Sequence, residues 1–187
     1  MPDHSPPHIH SASLLTLPNV ISFARLCAVP VAIYLVLWRE WGFAFGLFAA
    51  AGISDAVDGW LARRQGGSAL GAALDPLADK TLMVGMYVTL AAIGALPSWI
   101  AILIVFRDVV IVGGVLLLWM YGHGAAIKPI YISKLNTALQ IGLVGLVLGL
   151  NAAGLGFNAV RESAIWLVAA STLASLGTYV YLTVRPA

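Results

Sequence analysis

Six apolar runs, each about as long as a bilayer core is thick, follow one another along this chain with only short Pro-, Gly- or charge-bearing breaks between them. They are continuous rather than alternating, so they read as helices and not as barrel strands. The expected spans are 19–37, 42–61, 70–95, 99–120, 133–150 and 163–184. With 60% hydrophobic residues, 10% charged ones and a mean hydropathy of +0.93, the fold class expected is all-α integral membrane, a bundle of six transmembrane helices. A length of 187 residues suits one membrane domain over 14–187, leaving no room for a separate soluble catalytic domain. No long-period repeat of a two-halved transporter is visible.

Residues 1–13 combine Pro, His and Ser without Lys or Arg, and read as a disordered tail rather than a signal or transit peptide. The expected location is therefore the inner (cytoplasmic) membrane of a bacterium. His4, His8 and His10 lack the fixed geometry of a metal site, and residues 14–17 read as a short amphipathic entry at the interface. The lone Cys27 lies in an apolar run, where packing inside the bundle is expected. A net charge of +2 and a pI near 8.9 describe a small cationic excess, not a face for nucleic acid. Its placement sets topology: Arg63, Arg64, Lys128, Lys134 and Arg185 fall on one side, Arg39 and Arg161 on the other. The positive-inside rule then puts both termini, and the end of the bundle that carries the aspartates, in the cytoplasm. Trp38, Trp41, Trp99 and Trp166 near segment ends read as interfacial anchors.

Against this apolar background, the stretch DAVDGWLARRQGGSALGAALDPLAD concentrates Asp55, Asp58, Asp75 and Asp79. Carboxylates at membrane depth are costly without partners, so a cluster of one sign requires cations. Asp55 and Asp58, at i and i+3, share a helix face, as do Asp75 and Asp79 at i and i+4. Two antiparallel helices bring the pairs together. Hard oxygen ligands suit Mg²⁺ or Mn²⁺, and two such ions neutralise a diphosphate and stabilise in-line phosphoryl displacement. Gly59 and Gly71 allow close approach of a ligand or a neighbouring backbone, and Arg63 offers a planar donor to phosphate. The competing structural account pairs the aspartates with Arg63, Arg64 and Lys80. Lys80 is itself open to two roles, neutralising Asp79 or anchoring at the interface.

Asp55, Asp58, Gly59, Ala62, Arg63, Gly71, Asp75 and Asp79 together reproduce the pattern DxxDGxxAR…GxxxDxxxD, and the chain resembles the CDP-alcohol phosphotransferase family over nearly its whole length. The seven residues between Arg63 and Gly71 are at the short end of the family's spacing, a difference a loop absorbs. The resemblance implies a six-helix, homodimeric membrane enzyme that uses two divalent cations to move a substituted phosphate from a CDP-alcohol to an acceptor hydroxyl, releasing CMP. By position it implies that Asp55, Asp58 and Asp75 ligate metal, and that Asp79 is both at the metal centre and the general base. Asp55, Gly59, Ala62, Arg63 and Gly71 are implied to line the CDP site.

Outside the signature, LDPLADK, FRDVVI and KPIYISKLNTALQ are similar to one branch of the family. In that branch the donor is CDP-diacylglycerol, the acceptor is phosphatidylglycerol and the product is cardiolipin. The alternative acceptor is glycerol 3-phosphate, whose branch usually carries Arg-Glu where this chain has Arg107-Asp108. Arg107 and Lys134 are the candidates for the acceptor phosphate, against snorkelling or, for Arg107, pairing with Asp108. Arg25, in an NxxxxxR pattern from Asn19, is a further phosphate-binding candidate. His123 reads as a solvated loop residue, and Gly142, Gly145 and Gly149 as helix-packing positions. A small ion transporter is the non-enzymatic alternative, since intramembrane aspartates also mark ion paths. The gathering of the aspartates at one end of the helices argues against it.

Overall fold

A computed structural model describes residues 17–65, 69–120 and 131–184, with side chains for 20–55, 76–114, 120 and 131–181. The tail at 1–13, the segment 66–68, His123, Lys128 and Arg185 lie outside the described residues, and only helical backbone is described at Asp58, Gly59, Ala62, Arg63, Gly71 and Asp75. The described residues form six helices: α1 (Leu17–Leu37), α2 (Trp41–Gln65), α3 (Ala69–Ala92), α4 (Ser98–Met120), α5 (Tyr131–Ala152) and α6 (Asn158–Val184). Three of them contain stretches long and apolar enough to cross a membrane, at Val20–Leu37, Tyr131–Ala152 and Asn158–Tyr181.

The helices run past the expected ends for identifiable reasons. α2 continues through Arg63 and Arg64 to Gln65, because Ala, Arg and Gln are good helix formers and the first breaker is Gly66. α6 starts at Asn158 and includes the polar Arg161 and Glu162, which hydropathy alone excludes from a span. Arg161 donates to the Asn158 side chain across this first turn at 3.0 Å.

α1, α3 and α5 all stop in the same way. In each, a residue with positive φ follows the helix, and its own amide and the next one fold back on the last carbonyls. Gly94 (φ 76°) and Gly154 (φ 64°) serve α3 and α5, whereas α1 uses Arg39 (φ 60°). The bonds Glu40 N–H to Leu35 O, Ala95 N–H to Leu90 O and Leu155 N–H to Leu150 O are each 2.9 Å. These tight reversals make α1–α2, α3–α4 and α5–α6 adjacent hairpins.

Helix contacts close into a ring, in the order α1, α2, α5, α6, α4, α3 and back to α1, with α3 also touching α5 across it. Buried stripes at three- and four-residue spacing produce this arrangement. On α1 the stripe is Ser22, Arg25, Val29, Ala32 and Val36; on α2, Ala44, Phe48 and Ala51; on α5, Asn136, Gln140, Leu143, Val144, Val147 and Leu148. The α1–α3 contact is close at Gly85, where a Cβ would stand 3.2 Å from Ile33 Cδ1 and 3.5 Å from Val29 Cγ1.

Two expectations are corrected. Cys27 is exposed, not buried, because an apolar residue on a helix in lipid has an outward face as available to it as the core. Of the three glycines on α5, only Gly149 packs, with its Cβ position 3.5 Å from Phe45; Gly142 and Gly145 face open space. Trp99 and Trp166 stack at 5.3 Å between ring centroids, both exposed.

Overpacking α1 against α3 tests this architecture. Gly85→Leu is expected to lower stability by about 1–3 kcal/mol, read as a lower thermal midpoint in detergent. Gly46→Leu, whose Cβ would meet nothing within 4 Å, leaves the midpoint unchanged.

Candidate active site

Asp55 continues the buried stripe of α2 one turn beyond Ala51, and Asp79 begins the stripe of α3 that runs on through Leu82, Met86 and Leu90. Each carboxylate therefore stands where an apolar seam reaches one end of the bundle. A single nitrogen joins them: Arg25 Nη1 on α1 donates to Asp55 Oδ1 at 3.0 Å and to Asp79 Oδ1 at 2.6 Å. The arginine side chain is 2% exposed and each carboxylate 42% exposed, so the cation is buried and the anions are open to a ligand.

Arg25, Asp55 and Asp79 form the polar head of a cavity of about 690 Å³. Lys80, Thr137 and Gln140 add further polar groups, while Phe48, Ile53, Leu82, Met83 and Ile141 give it apolar walls. The cavity thus lies among α1, α2, α3 and α5. Pro76, in the turn between Asp75 and Asp79, lines the same space.

Lys80 does not pair with its neighbour Asp79. It pairs with Asp108 on α4, which also accepts from Arg107 Nη1 at 2.8 Å. Arg107 Nη2 donates to Ser133 on α5 and Ser175 on α6, at 2.7 Å each. This buried cluster ties four helices together and sets Lys80 at the edge of the cavity. Arg107 is 3% exposed and three of its donors are taken, while its Nε has no partner among the described residues, so burial is what limits direct binding of an acceptor phosphate. Lys134 is exposed and sits 5.9 Å from the centroid of the Tyr131 ring. It lies one turn before Thr137 on α5, on the stripe that reaches the cavity at Thr137 and Ile141.

The donor set fits a hard divalent cation. Two carboxylate oxygens from different helices already converge on one positive charge, and Asp58 and Asp75 follow at i+3 and i−4 on the same two helices. Asp58 and Asp75 themselves lie where only backbone is described. Thr137 and Gln140 are cavity residues that sequence reasoning missed. The available signal was on α5, where Asn136 and Gln140 interrupt an apolar stripe at i and i+4. A polar residue on a buried face needs a partner or a task.

Residues 15–176 match the CDP-alcohol phosphatidyltransferase family, and the chain belongs to it. Cardiolipin synthase (CMP-forming) of Rattus norvegicus is 38% identical over 146 residues, covering 69% of this chain and 48% of its own length. A cardiolipin synthase (CMP-forming) / mitochondrial hydrolase fusion protein of Schizosaccharomyces pombe is 35% identical over 183 residues, 89% of this chain and 31% of its own. CDP-diacylglycerol–glycerol-3-phosphate 3-phosphatidyltransferase 1, chloroplastic, of Oryza sativa is 34% identical over 194 residues, 92% of this chain and 59% of its own. The chain spans half or less of the length of the rat and Schizosaccharomyces pombe relatives.

The Arg25 bridge makes a measurable demand. Arg25→Gln leaves two carboxylates facing each other and is expected to cost about 1–3 kcal/mol in EDTA, below the range for wholly buried pairs because the anions are partly exposed. Millimolar Mg²⁺ restores part of the lost thermal midpoint. A midpoint equal to wild type in EDTA overturns the bridge.

Proposed function

We propose that this chain is a membrane phosphatidyltransferase that joins CDP-diacylglycerol to phosphatidylglycerol, giving cardiolipin and CMP. One observation carries the reading: the Asp55–Arg25–Asp79 cluster heads a cavity whose remaining walls are mostly apolar. Such a cavity takes an anionic diphosphate at one end and lipid along its sides. Family membership and the names of the rat and Schizosaccharomyces pombe relatives support it. Membership of a transferase family also weighs against the ion-transporter alternative.

Asp55, Asp58, Asp75 and Asp79 would hold two divalent ions, Mg²⁺ or Mn²⁺, whose charge would offset that of the diphosphate. Gly59, Ala62, Arg63 and Gly71 border the cytidine diphosphate. Asp79 accepts the proton of the free glycerol hydroxyl as its oxygen attacks the phosphorus that bears the diacylglycerol. A new P–O bond forms there, the bond from that phosphorus to the bridging oxygen breaks, and CMP leaves with the bridging oxygen. Arg107 and Lys134 are the candidates for the acceptor's phosphodiester, joined by Lys80, which lines the cavity and is tied to Arg107 through Asp108.

All six helices cross the membrane in this reading, each being 21 to 27 residues long. The aspartate-bearing end faces the cytoplasm, in keeping with Arg39 and Arg161 lying at the opposite, tight-turn end. The homodimer implied by the resemblance belongs to the same proposal, and particle mass in detergent tests it.

Glycerol 3-phosphate is the second reading, favoured by the rice relative. Purified protein incubated with CDP-diacylglycerol, Mg²⁺ and either acceptor decides between them. CMP release is expected with phosphatidylglycerol; release with glycerol 3-phosphate alone transfers the assignment to the second reading. Asp79→Asn is expected to cut turnover by about 10²–10⁴-fold while retaining CDP-diacylglycerol binding, and near wild-type turnover rules Asp79 out as base. Asp58→Asn is expected to raise the Mg²⁺ concentration needed for half-maximal rate.

A further inference from the structure

The deepest polar group in the cavity is one that the mechanism above does not use. Gln140 lines the cavity from α5 although the residue is only 3% exposed, and its Nε2 has no hydrogen-bond partner among the described residues. A buried amide donor left unpaired costs about 1–3 kcal/mol. Its neighbour on the stripe, Asn136, also has an unpaired Nδ2 among the described residues, but its Oδ1 accepts from both Ser171 and Thr172, at 2.8 and 2.9 Å, and it does not line the cavity. Those bonds explain Asn136 as glue between α5 and α6. Among the described residues no side chain pairs with Gln140 Nε2.

Its position is nonetheless fixed. The main-chain oxygen of Gln140 accepts a hydrogen bond of 2.9 Å from Tyr87 Oη, and Tyr87 is fully buried on α3. Tyr87 lies eight residues beyond Asp79, about 12 Å along the helix axis, and helical side chains lean back toward the N-terminus. The main chain of Gln140 therefore lies one to two turns deeper than the carboxylate pair, and its side chain leans back from there into the cavity beside Leu82, Met83, Phe48 and Ile141. Phosphate belongs at the upper level with Arg25 and Lys80. At the lower level a lipid presents the two ester carbonyls of its diacylglycerol, which accept hydrogen bonds and donate none.

We propose that Gln140 is a lipid-recognition residue whose carboxamide N–H donates to an ester carbonyl of the diacylglycerol moiety lodged in the cavity. The assignment rests on the phosphatidyltransferase reading. It gives the site a means of registering depth: with the phosphate at the carboxylate end and the carbonyl at Gln140, the phosphorus is held at a set distance from Asp79. Both lipid substrates carry such carbonyls, so the donor and the acceptor are separated by experiment.

Ester-linked and dialkyl ether forms of CDP-diacylglycerol and of phosphatidylglycerol are compared on the purified full chain. Apparent Kd is taken from lipid-induced thermal shifts and KM from CMP release. Wild type is expected to bind the ester form of one of the two lipids roughly fivefold more tightly than its ether form, the worth of one neutral hydrogen bond. Whichever lipid shows the preference is the one Gln140 holds. Gln140→Leu removes the donor at similar volume and is expected to bind both forms with the affinity wild type shows for the ether. Gln140→Ala gives the same comparison should the leucine variant fail to fold. Equal binding of ester and ether forms of both lipids by wild type overturns the proposal without any variant, as does an ester preference that survives in Gln140→Leu or Gln140→Ala. Because binding is read apart from turnover, a chain that prefers the ester but releases no CMP with either acceptor overturns the enzymatic reading instead.

Discussion

One guanidinium holds the working end of this bundle together. Asp55 and Asp79 belong to different helices, and their like charges oppose the close approach of α2 and α3. Arg25 comes from a third helix and meets both with the same nitrogen. It can do so because it lies on the buried stripe of α1, in line with Val29, Ala32 and Val36, so the packing that seats α1 against α3 also delivers the cation. The close approach at Gly85 serves the same geometry six residues further along α3. Arg25 carries one positive charge, and the two helices carry four aspartates within 25 residues. Against the two carboxylates it joins, that single charge leaves the Asp55–Arg25–Asp79 group one negative charge on oxygens that are 42% exposed, which suits a divalent ion.

Much of this was legible beforehand, and for a clear reason. In lipid, continuous apolar runs can only be helices, and i, i+3 and i, i+4 spacing puts each pair of aspartates on one face whatever the tertiary arrangement. What failed was whatever depends on which way a helix faces or on which helices touch. Cys27 sits in an apolar run, but hydropathy in a membrane does not separate lipid-facing from buried positions. Gly142 and Gly145 have packing spacing without a neighbour, since a small-residue motif shows only that close approach is possible. Arg25 was visible as an isolated cation in a span, yet its joining two carboxylates from α2 and α3 required the ring order of the helices. No local pattern encodes that order.

The third wall of the cavity shows the same boundary. Asn136 and Gln140 are equally buried on α5, four residues apart, and look alike in sequence. Only the neighbouring helix distinguishes them. α6 brings Ser171 and Thr172 to Asn136, whereas Gln140 faces α3 and the cavity, with Tyr87 occupied by the main chain. Polar groups in a membrane core contribute to specificity when satisfied and mark binding sites when they are not. Both residues keep an unpaired amide nitrogen; Asn136 is anchored through its oxygen to α6, and Gln140 is the one that lines the cavity.

Lys80 was open to two roles in the sequence, and the structure removes one of them, neutralising Asp79. It bypasses Asp79 for Asp108, because Arg107 holds Asp108 against Ser133 and Ser175 and presents an anion at the right height on α4. Adjacent residues on α3 thus answer to opposite sides of the bundle: Asp79 to α1 through Arg25, Lys80 to α4, α5 and α6 through Asp108. Dividing the partners gives Asp79 and Lys80 different counter-ions, Arg25 and Asp108, and leaves both side chains lining one cavity wall, as the proposed pairing of a diphosphate with an anionic acceptor would use.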